Sequence, residues 1–405
     1  MTFGSGGLSA TAGDSLPTEH SYNSQYTIKY DDWDLLLSSA VLDVGRSDRR
    51  SAGRSGLRNT QTRIRHGNYS VTANEGNRVL FDKFKQPHRD NMLAIRQDLE
   101  AVPDFIPLEE FSKNEQLAYW LNLHNVAVML EVARKYPIKK VKSLHAGRTS
   151  VWDNKTMSIG GVPTSIRDIE THVVTNWNDP LVLYGFFMGA VGGPSIRDHA
   201  FTGDNVVKSL RDNAIEFINS IRGFKLWSGR GRVSDHYQIG AHYFPNFDED
   251  IKNHMRVFAN ADTERDLHKA GFFRIKNYDW GIADLKNGDT YGGGSFNTSS
   301  GLLTFFIQNQ PNSSGAAGTP PPGSILSDSF VGNPMFNRGV NGKLPPQTKA
   351  LLRAIQSRKE RRAREGTVTV EEFVGGDGSR IVRKDAKEDI AVSPQDEGDE
   401  EKPLA

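Results

Sequence analysis

The stretch FSKNEQLAYWLNLHNVAVMLEVARKYP, residues 111–137, decides the fold of this 405-residue chain. Ser112 followed three residues later by Glu115 makes a capping box, in which hydroxyl and carboxylate satisfy amides that a helix start leaves without intrahelical partners. Leu117, Trp120, Leu121, Val128 and Leu130 then supply a long apolar face. Tyr136-Pro137 ends it, because the residue before proline is biased away from helix. A helix over 111–135 is therefore predicted, long enough to organise a domain around itself.

Working outward, Trp33, Leu36, Leu37, Ala40 and Val41 have helical spacing and predict a first packed helix over 31–44. Residues 45–66 interrupt it with Arg46, Arg49, Arg50, Arg54, Arg58, Arg63 and Arg65 among Gly, Ser, Asn and Thr, which reads as a solvated loop. A strand-like segment turning at Glu75-Gly76-Asn77 and a helix over 88–101 lead into the central stretch. Beyond it come a small hairpin within 152–163, a helix over 165–174, and the apolar run LVLYGFFMGAV (181–191), read as a buried strand or short core helix. A helix over 204–221, an aromatic and acidic surface stretch over 234–250, and a last strand over 302–308 complete the body. Residues 1–27 read as a flexible lead-in, 28–308 as the folded body, 309–345 as a Pro/Gly/Ser-rich linker, and 346–405 as a basic helix with a disordered charged tail.

Composition narrows the chemistry. The chain has no cysteine, which excludes thiol nucleophiles, disulfide frameworks, iron–sulfur clusters and Cys-based zinc sites. With 50 Lys+Arg against 49 Asp+Glu, the balance argues against a general nucleic-acid binder and leaves only local patches. No run of about 18 apolar residues is present, so no membrane-spanning helix is expected. The N-terminus does not read as a signal peptide. The compartment stays open, cytoplasmic by default and exported if translation starts upstream of Met1.

Four stretches together resemble the bacterial Domain of Unknown Function 547 family: FSKNEQLAYWLNLHNVAVM with ARKYPIKKV, SIRDIETHVV, NDPLVLYGFFMGAVGGPSIRDHAFTGDNVVKSLRDNAIEFINS, and VSDHYQIGAHYFPNFDED. Trp120, Asn122, Asn125 and Tyr136-Pro137 carry most of the match. The resemblance implies one largely helical α+β domain with a small sheet, thiol-hydrolase-like in outline and flanked by disordered ends. It also implies a Cys-Pro, a His and an Arg-x-His. Those family positions fall here on Gly193 before Pro194, on Thr171 after Ile169-Glu170, and on Leu181 and Leu183 after Asp179-Pro180. A cysteine and a base could form a nucleophile site, and here the scaffold is retained while those groups are absent. His172, one residue past the expected position, is rotated by about 100° on a helix and does not simply substitute.

Other constellations are weaker. Ser195, Asp198 and His199 invite a Ser-His-Asp reading, but S-x-x-D after Pro194 suits a helix cap better. Gly192-Gly193-Pro194, with Arg197 nearby, could open an anion-binding helix, and more simply makes a tight turn. Asp235, His236, His242, Asp248 and Asp250 are metal-ligand types without a metal spacing, and no metal or cofactor is expected. GDTYGGGSF (288–296) reads as a flexible turn. Trp120, Asn122, His124, Asn125, Glu170, Gly192, Pro194 and Arg197 are the candidate ligand-binding set, for an unidentified small molecule or protein. The leading expectation is a non-catalytic binding or scaffold protein. The alternatives are a hydrolase or transferase with a relocated site using Ser195 and His199 or His172, and an interaction protein acting through the Arg-rich loop and charged tail.

Overall fold

The computed structural model describes residues 16–52, 70–148, 150–276 and 278–288, together with Leu351, Arg358, 371–374 and 380–383. The chain divides into two compact units, Met1–Ile355 and Gln356–Ala405. In the first, helix α1 (Asp31–Ala40) buries Trp33, Leu36, Leu37 and Ala40, one stripe at helical spacing. It stops short of the predicted end because Val41–Leu42 becomes strand β1, antiparallel to β2 (Arg78–Val79). Helix α2 (Gln86–Glu100) and the single turn α3 (Val102–Phe105) follow, with Pro103 in the first turn of α3. Proline fits there because that amide would lack an intrahelical partner anyway.

Helix α4 (Lys113–Lys135) is the axis of the unit, buried without interruption from Glu115 to Leu130. A helix covered on every side has no amphipathic stripe, and α4 accordingly keeps polar residues such as Asn122, His124 and Asn125 inside. After α5 (Lys142–His145) come the antiparallel hairpin β3 (Met157–Ile159) and β4 (Val162–Thr164), then α6 (Ile166–Asn176) and α7 (Val206–Ile218). Helices α2, α6 and α7 pack on α4. A three-stranded sheet closes the unit: β5 (Phe224–Trp227) runs antiparallel to β6 (Arg230–Val233). Helices α8 (Phe247–Arg256) and α9 (Ala261–Lys269) precede β7 (Phe272–Ile275), which runs parallel to β6. The second unit contributes β8 (Glu371–Val374) and β9 (Arg380–Arg383), paired antiparallel within the stretch expected to be disordered. The architecture is thus a mixture of helices and small sheets.

The predicted capping box at α4 forms only in half. Ser112 Oγ accepts from Glu115 N at 3.2 Å, but the Glu115 carboxylate turns away and accepts from Ile28 N and Gly203 N, each at 2.9 Å. Two amides in irregular chain need an acceptor more than the solvent-accessible cap does. A reciprocal box forms instead at α6, between Ser165 and Asp168.

The apolar run 181–191 is buried, as its composition predicts. It forms a 3-10 turn (Pro180–Gly185) and then continues as irregular chain to Asn205, with only one bridge, Ala190 to Ile282. The helix expected to begin at Ser195 is therefore absent, and the next one starts at Val206. Buried irregular backbone must find partners outside a ladder. Asn122 gives Nδ2 to Phe201 O at 2.7 Å and accepts Phe201 N at 3.1 Å. Asn125 gives Nδ2 to Gly185 O at 3.0 Å and accepts Phe187 N at 2.9 Å. Asn213 on α7 gives Nδ2 to Tyr184 O and Ser195 O.

Either Asn122→Leu or Asn125→Leu keeps side-chain volume but strands one buried amide and one buried carbonyl. Each should cost about 2–6 kcal/mol in urea unfolding, at roughly 1–3 kcal/mol for each of the two unsatisfied groups. A loss below about 1 kcal/mol in both would show that the asparagines do not hold this segment.

Candidate functional site

Gly192, Gly193 and Pro194 sit inside the irregular segment. Gly192 N donates to Asp279 O at 2.8 Å, and a Cβ at 192 would collide with the Asp279 backbone, so only glycine fits. At Gly193 a Cβ would lie 3.1 Å from Met188 Cγ and 3.2 Å from Tyr278 Oη. A larger side chain there would fit only if these two side chains gave way by a few tenths of an ångström. The Tyr278 hydroxyl is buried with no hydrogen-bond partner among the described residues, and burial pushes it well up from the ordinary phenol range. No helix opens at this turn, which removes the anion-binding reading of Gly192-Gly193-Pro194.

The positions that the resemblance pairs with Gly193 lie in different surroundings. Thr171 is solvent-exposed on α6. Leu181 and Leu183 are buried in the 3-10 turn, and Leu183 O accepts from His236 Nε2 at 2.7 Å. His172 points inward against Trp120, with ring centroids 4.7 Å apart. Its Nε2 has no partner among the described residues, and burial lowers its imidazole to about 4.

Around α4 the candidate ligand-binding residues form an interior polar cluster. His124 Nδ1 faces Asn125 Oδ1 at 3.0 Å, and Nε2 faces Glu170 Oε1 at 3.2 Å, so both ring nitrogens meet acceptor oxygens. Glu170 also accepts from Trp152 Nε1 at 2.9 Å, with the Arg167 guanidinium 3.9 Å away. Burial pushes the Glu170 carboxyl up, but the hydrogen bond and charge of His124, together with Trp152 and Arg167, hold it below its ordinary value. Trp120, Asn122, His124, Asn125 and Glu170 are all under 5% exposed. His145 stacks on Trp152 at 3.5 Å and bonds Met188 O at 2.9 Å, and burial lowers it to about 4.

Ser195 and His199 have separate partners. Ser195 Oγ donates to Glu216 Oε2 at 3.1 Å and accepts from Asn77 N at 3.0 Å and Arg222 Nη2 at 3.2 Å. Arg222, buried, also bonds Gly193 O at 2.9 Å and pairs with Glu216. His199 instead lies between Asp198 and Ser209, with Nδ1 to Asp198 Oδ1 at 2.8 Å and Nε2 to Ser209 Oγ at 3.2 Å. Burial pushes the Asp198 carboxyl up, but the His199 hydrogen bond and charge outweigh it and leave the group lowered. Arg197 reaches Asn213 Oδ1 at 3.3 Å. Arg222, Ser209, Tyr278 and Trp152 were not signalled by any motif; a lone arginine or serine at helical spacing carries no signature of its burial.

The aromatic and acidic stretch 234–250 is less superficial than its composition suggests. Ser234, His236, Tyr237 and Phe244 are buried, since the 3-10 turn Asp235–Gln238 packs inward. Asp235, His236, His242, Asp248 and Asp250 do not gather, and no group of three metal-ligating side chains occurs among the described residues. Of the arginine run, Arg49 pairs with Asp266 at 3.0 Å. Arg54, Arg58, Arg63 and Arg65 lie outside the described residues, as do the turn 289–296 and the expected strand 302–308. No helix among the described residues is long and apolar enough to cross a membrane.

No curated protein and no solved structure matches the chain. Residues 108–218, which span α4, α6, the irregular segment and α7, match the family model described as "Protein of unknown function, DUF547".

Proposed function

We propose that this chain is a non-catalytic binding or scaffold protein, derived from a thiol-hydrolase-like domain that has lost its reactive groups. The observation that carries this reading is the tight space at Gly193, where Met188 and Tyr278 stand 3.1 and 3.2 Å from the point a cysteine Cβ would occupy. Three further features agree with it. Thr171 faces solvent, Ser195 is saturated by Asn77, Arg222 and Glu216, and the His124–Glu170 cluster is closed off from solvent.

A second reading, a hydrolase with a relocated site, draws on the Asp198–His199–Ser209 chain, which has the acid, base and hydroxyl in working order. Against it, Ser209 is 3% exposed, so its hydroxyl is not presented to a substrate.

The test is turnover of p-nitrophenyl esters, thioesters and peptide amides by the full chain. None above the uncatalysed rate is expected. Gly193→Cys with Thr171→His should add no activity and should lower stability by about 1–2 kcal/mol through overpacking. Turnover by the wild-type chain that His199→Ala or Ser209→Ala abolishes would sink the non-catalytic reading.

On this reading the buried histidines serve structure, and their protonation appears in stability. Burial lowers His145, His172, His236 and His254 to about 4 from an ordinary 6.5. The unfolded chain therefore takes up protons first, and stability falls as pH drops from 6.5 towards 4. Asp284 acts in the opposite sense: burial raises its carboxyl from 3.8 to about 7, so acidification relieves it. Four groups outweigh one. The urea midpoint should be lower at pH 5 than at pH 7, and His172→Phe should recover about 1–2 kcal/mol of the difference. A midpoint unchanged between the two pH values would contradict the neutral histidines.

A further inference from the structure

The outward face of the β5–β6–β7 sheet gathers basic and aromatic side chains. Side chains alternate along a strand, and residues directly opposite in a ladder share a face. The registers Lys225↔Arg232, Trp227↔Arg230, Arg230↔Phe272 and Arg232↔Arg274 place six residues on one side in two rows. One row reads Lys225, Arg232, Arg274 across the strands; the other reads Trp227, Arg230, Phe272. Their strand neighbours Phe224, Gly231, Val233 and Phe273 are buried on the opposite side. The six positions therefore carry four cations and two aromatics, while Asp248 and Glu249 line a hollow beside Phe272 and Arg274, Asp248 accepting from Phe273 N at 2.7 Å.

The cations face the rings rather than carboxylates. Arg232 lies 4.7 Å and Lys225 5.9 Å from the Trp227 ring, and Arg230 and Arg274 lie 5.4 and 5.3 Å from the Phe272 ring. Among the described residues none of the four has a carboxylate within ion-pair distance. The acids that line the neighbouring hollow with Lys225 are already engaged, Asp262 by Arg265 and Asp266 by Arg49. Trp227 is half exposed, an unusual position for the largest side chain on a two-residue hairpin. That turn, Ser228-Gly229, has positive φ at both residues and fixes the end of the platform rigidly.

A polyanion satisfies such cations, and planar rings interleaved with them add a preference for ligands with flat faces. Trp227 and Phe272 stand two strand spacings apart, about 10 Å, with Arg230 between them. Splayed, unstacked bases along a single strand fit this arrangement, because aromatic and guanidinium planes stack bases while neighbouring cations take the phosphates. We propose that the outward face of β5–β6–β7 is a docking platform for single-stranded nucleic acid. It lies outside the DUF547 match and does not depend on the non-catalytic reading.

The test is fluorescence anisotropy of the full chain with a short fluorescein-labelled oligothymidylate at low salt. Binding is expected, weakening about tenfold in Arg230→Gln/Arg274→Gln and about fivefold in Trp227→Ala. Arg230→Lys should retain most of it. All these residues are on the surface, so an unchanged thermal unfolding profile checks that the variants fold. Absence of oligothymidylate binding overturns the proposal. So does binding that Trp227→Ala leaves intact and that inorganic polyphosphate matches, since the face then reads charge alone. A synthetic peptide of the acidic residues 389–405 occupying the face in place of the oligonucleotide, with the same dependence on Trp227 and Arg230, would also overturn it.

Discussion

The fold depends on two carboxamides. Asn122 and Asn125 project from α4 into a buried segment that belongs to neither helix nor sheet, and each makes the paired N–H and C=O exchange that a neighbouring strand would otherwise make. A buried peptide group without a partner costs about as much as a lost hydrogen bond, and the segment from Gly185 to Asn205 has many such groups. A central helix of purely apolar residues would leave Gly185, Phe187 and Phe201 unmet. Glu115 extends the same device to Ile28 and Gly203, and Asn213 extends it from α7. Helix α4 thus works less as an amphipathic packing surface than as a polar rod around which irregular chain is wound.

Charge at the centre follows the same rule. Arg222, almost wholly buried, spends its guanidinium on Val191 O, Gly193 O, Ser195 Oγ and Glu216. Arg78 donates to the carbonyls of Ala73, Glu75, Gly76 and Asn77, and burial followed by the nearby Arg222 charge lowers it to about 10. The two guanidiniums are accommodated because the turn between them is glycine: Gly76 has φ +71, and a Cβ there would run into Arg222. Carbonyl dipoles share the neutralising with carboxylates, Glu216 at Arg222 and Asp279, Glu75 and Asp284 around Arg78. Burial, more than any neighbouring charge, is what keeps His145, His172 and His236 of the same interior neutral.

Much of this was legible from residue spacing, and what was not has identifiable causes. Helices α1, α2, α4, α6 and α7 announce themselves by apolar periodicity and caps, and the β3–β4 hairpin by its turn residues. Their ends slip by a few residues where a short strand pairing, as at Val41, takes over. The run 181–191 signals burial but not conformation, because its partners are side chains on α4 and α7 distant in sequence. The Ser195 cap fails for the same reason: Asn77, Glu216 and Arg222 claim the hydroxyl. At the candidate site, the resemblance locates Gly193, yet Met188 and Tyr278 fill its surroundings from positions that no local pattern connects to it. The sheet face was invisible for a further reason. Lys225, Arg230 and Arg232 lie close together on the β5–β6 hairpin, but Phe272 and Arg274 join them only through the parallel pairing of β6 with β7 across two intervening helices.

Inside and outside then divide the labour in a way that follows from desolvation. A buried charge or hydrogen-bonding group is tolerated when its partners are fixed, and Asn122, Asn125, Glu170 and Arg222 all have fixed partners. Groups committed in that way are poor material for exchange with a ligand, because releasing one strands the backbone it holds. An exposed cation carries no such commitment: water solvates it, and an incoming anion displaces only water and counterions. The four cations around Trp227 and Phe272 are held in register by a sheet whose other face is core, so they are positioned without being consumed. Rigid placement with open valence is what recognition requires, and the outward face of β5–β6–β7 offers that combination, whereas the groups that residues 108–218 enclose are already committed to their partners.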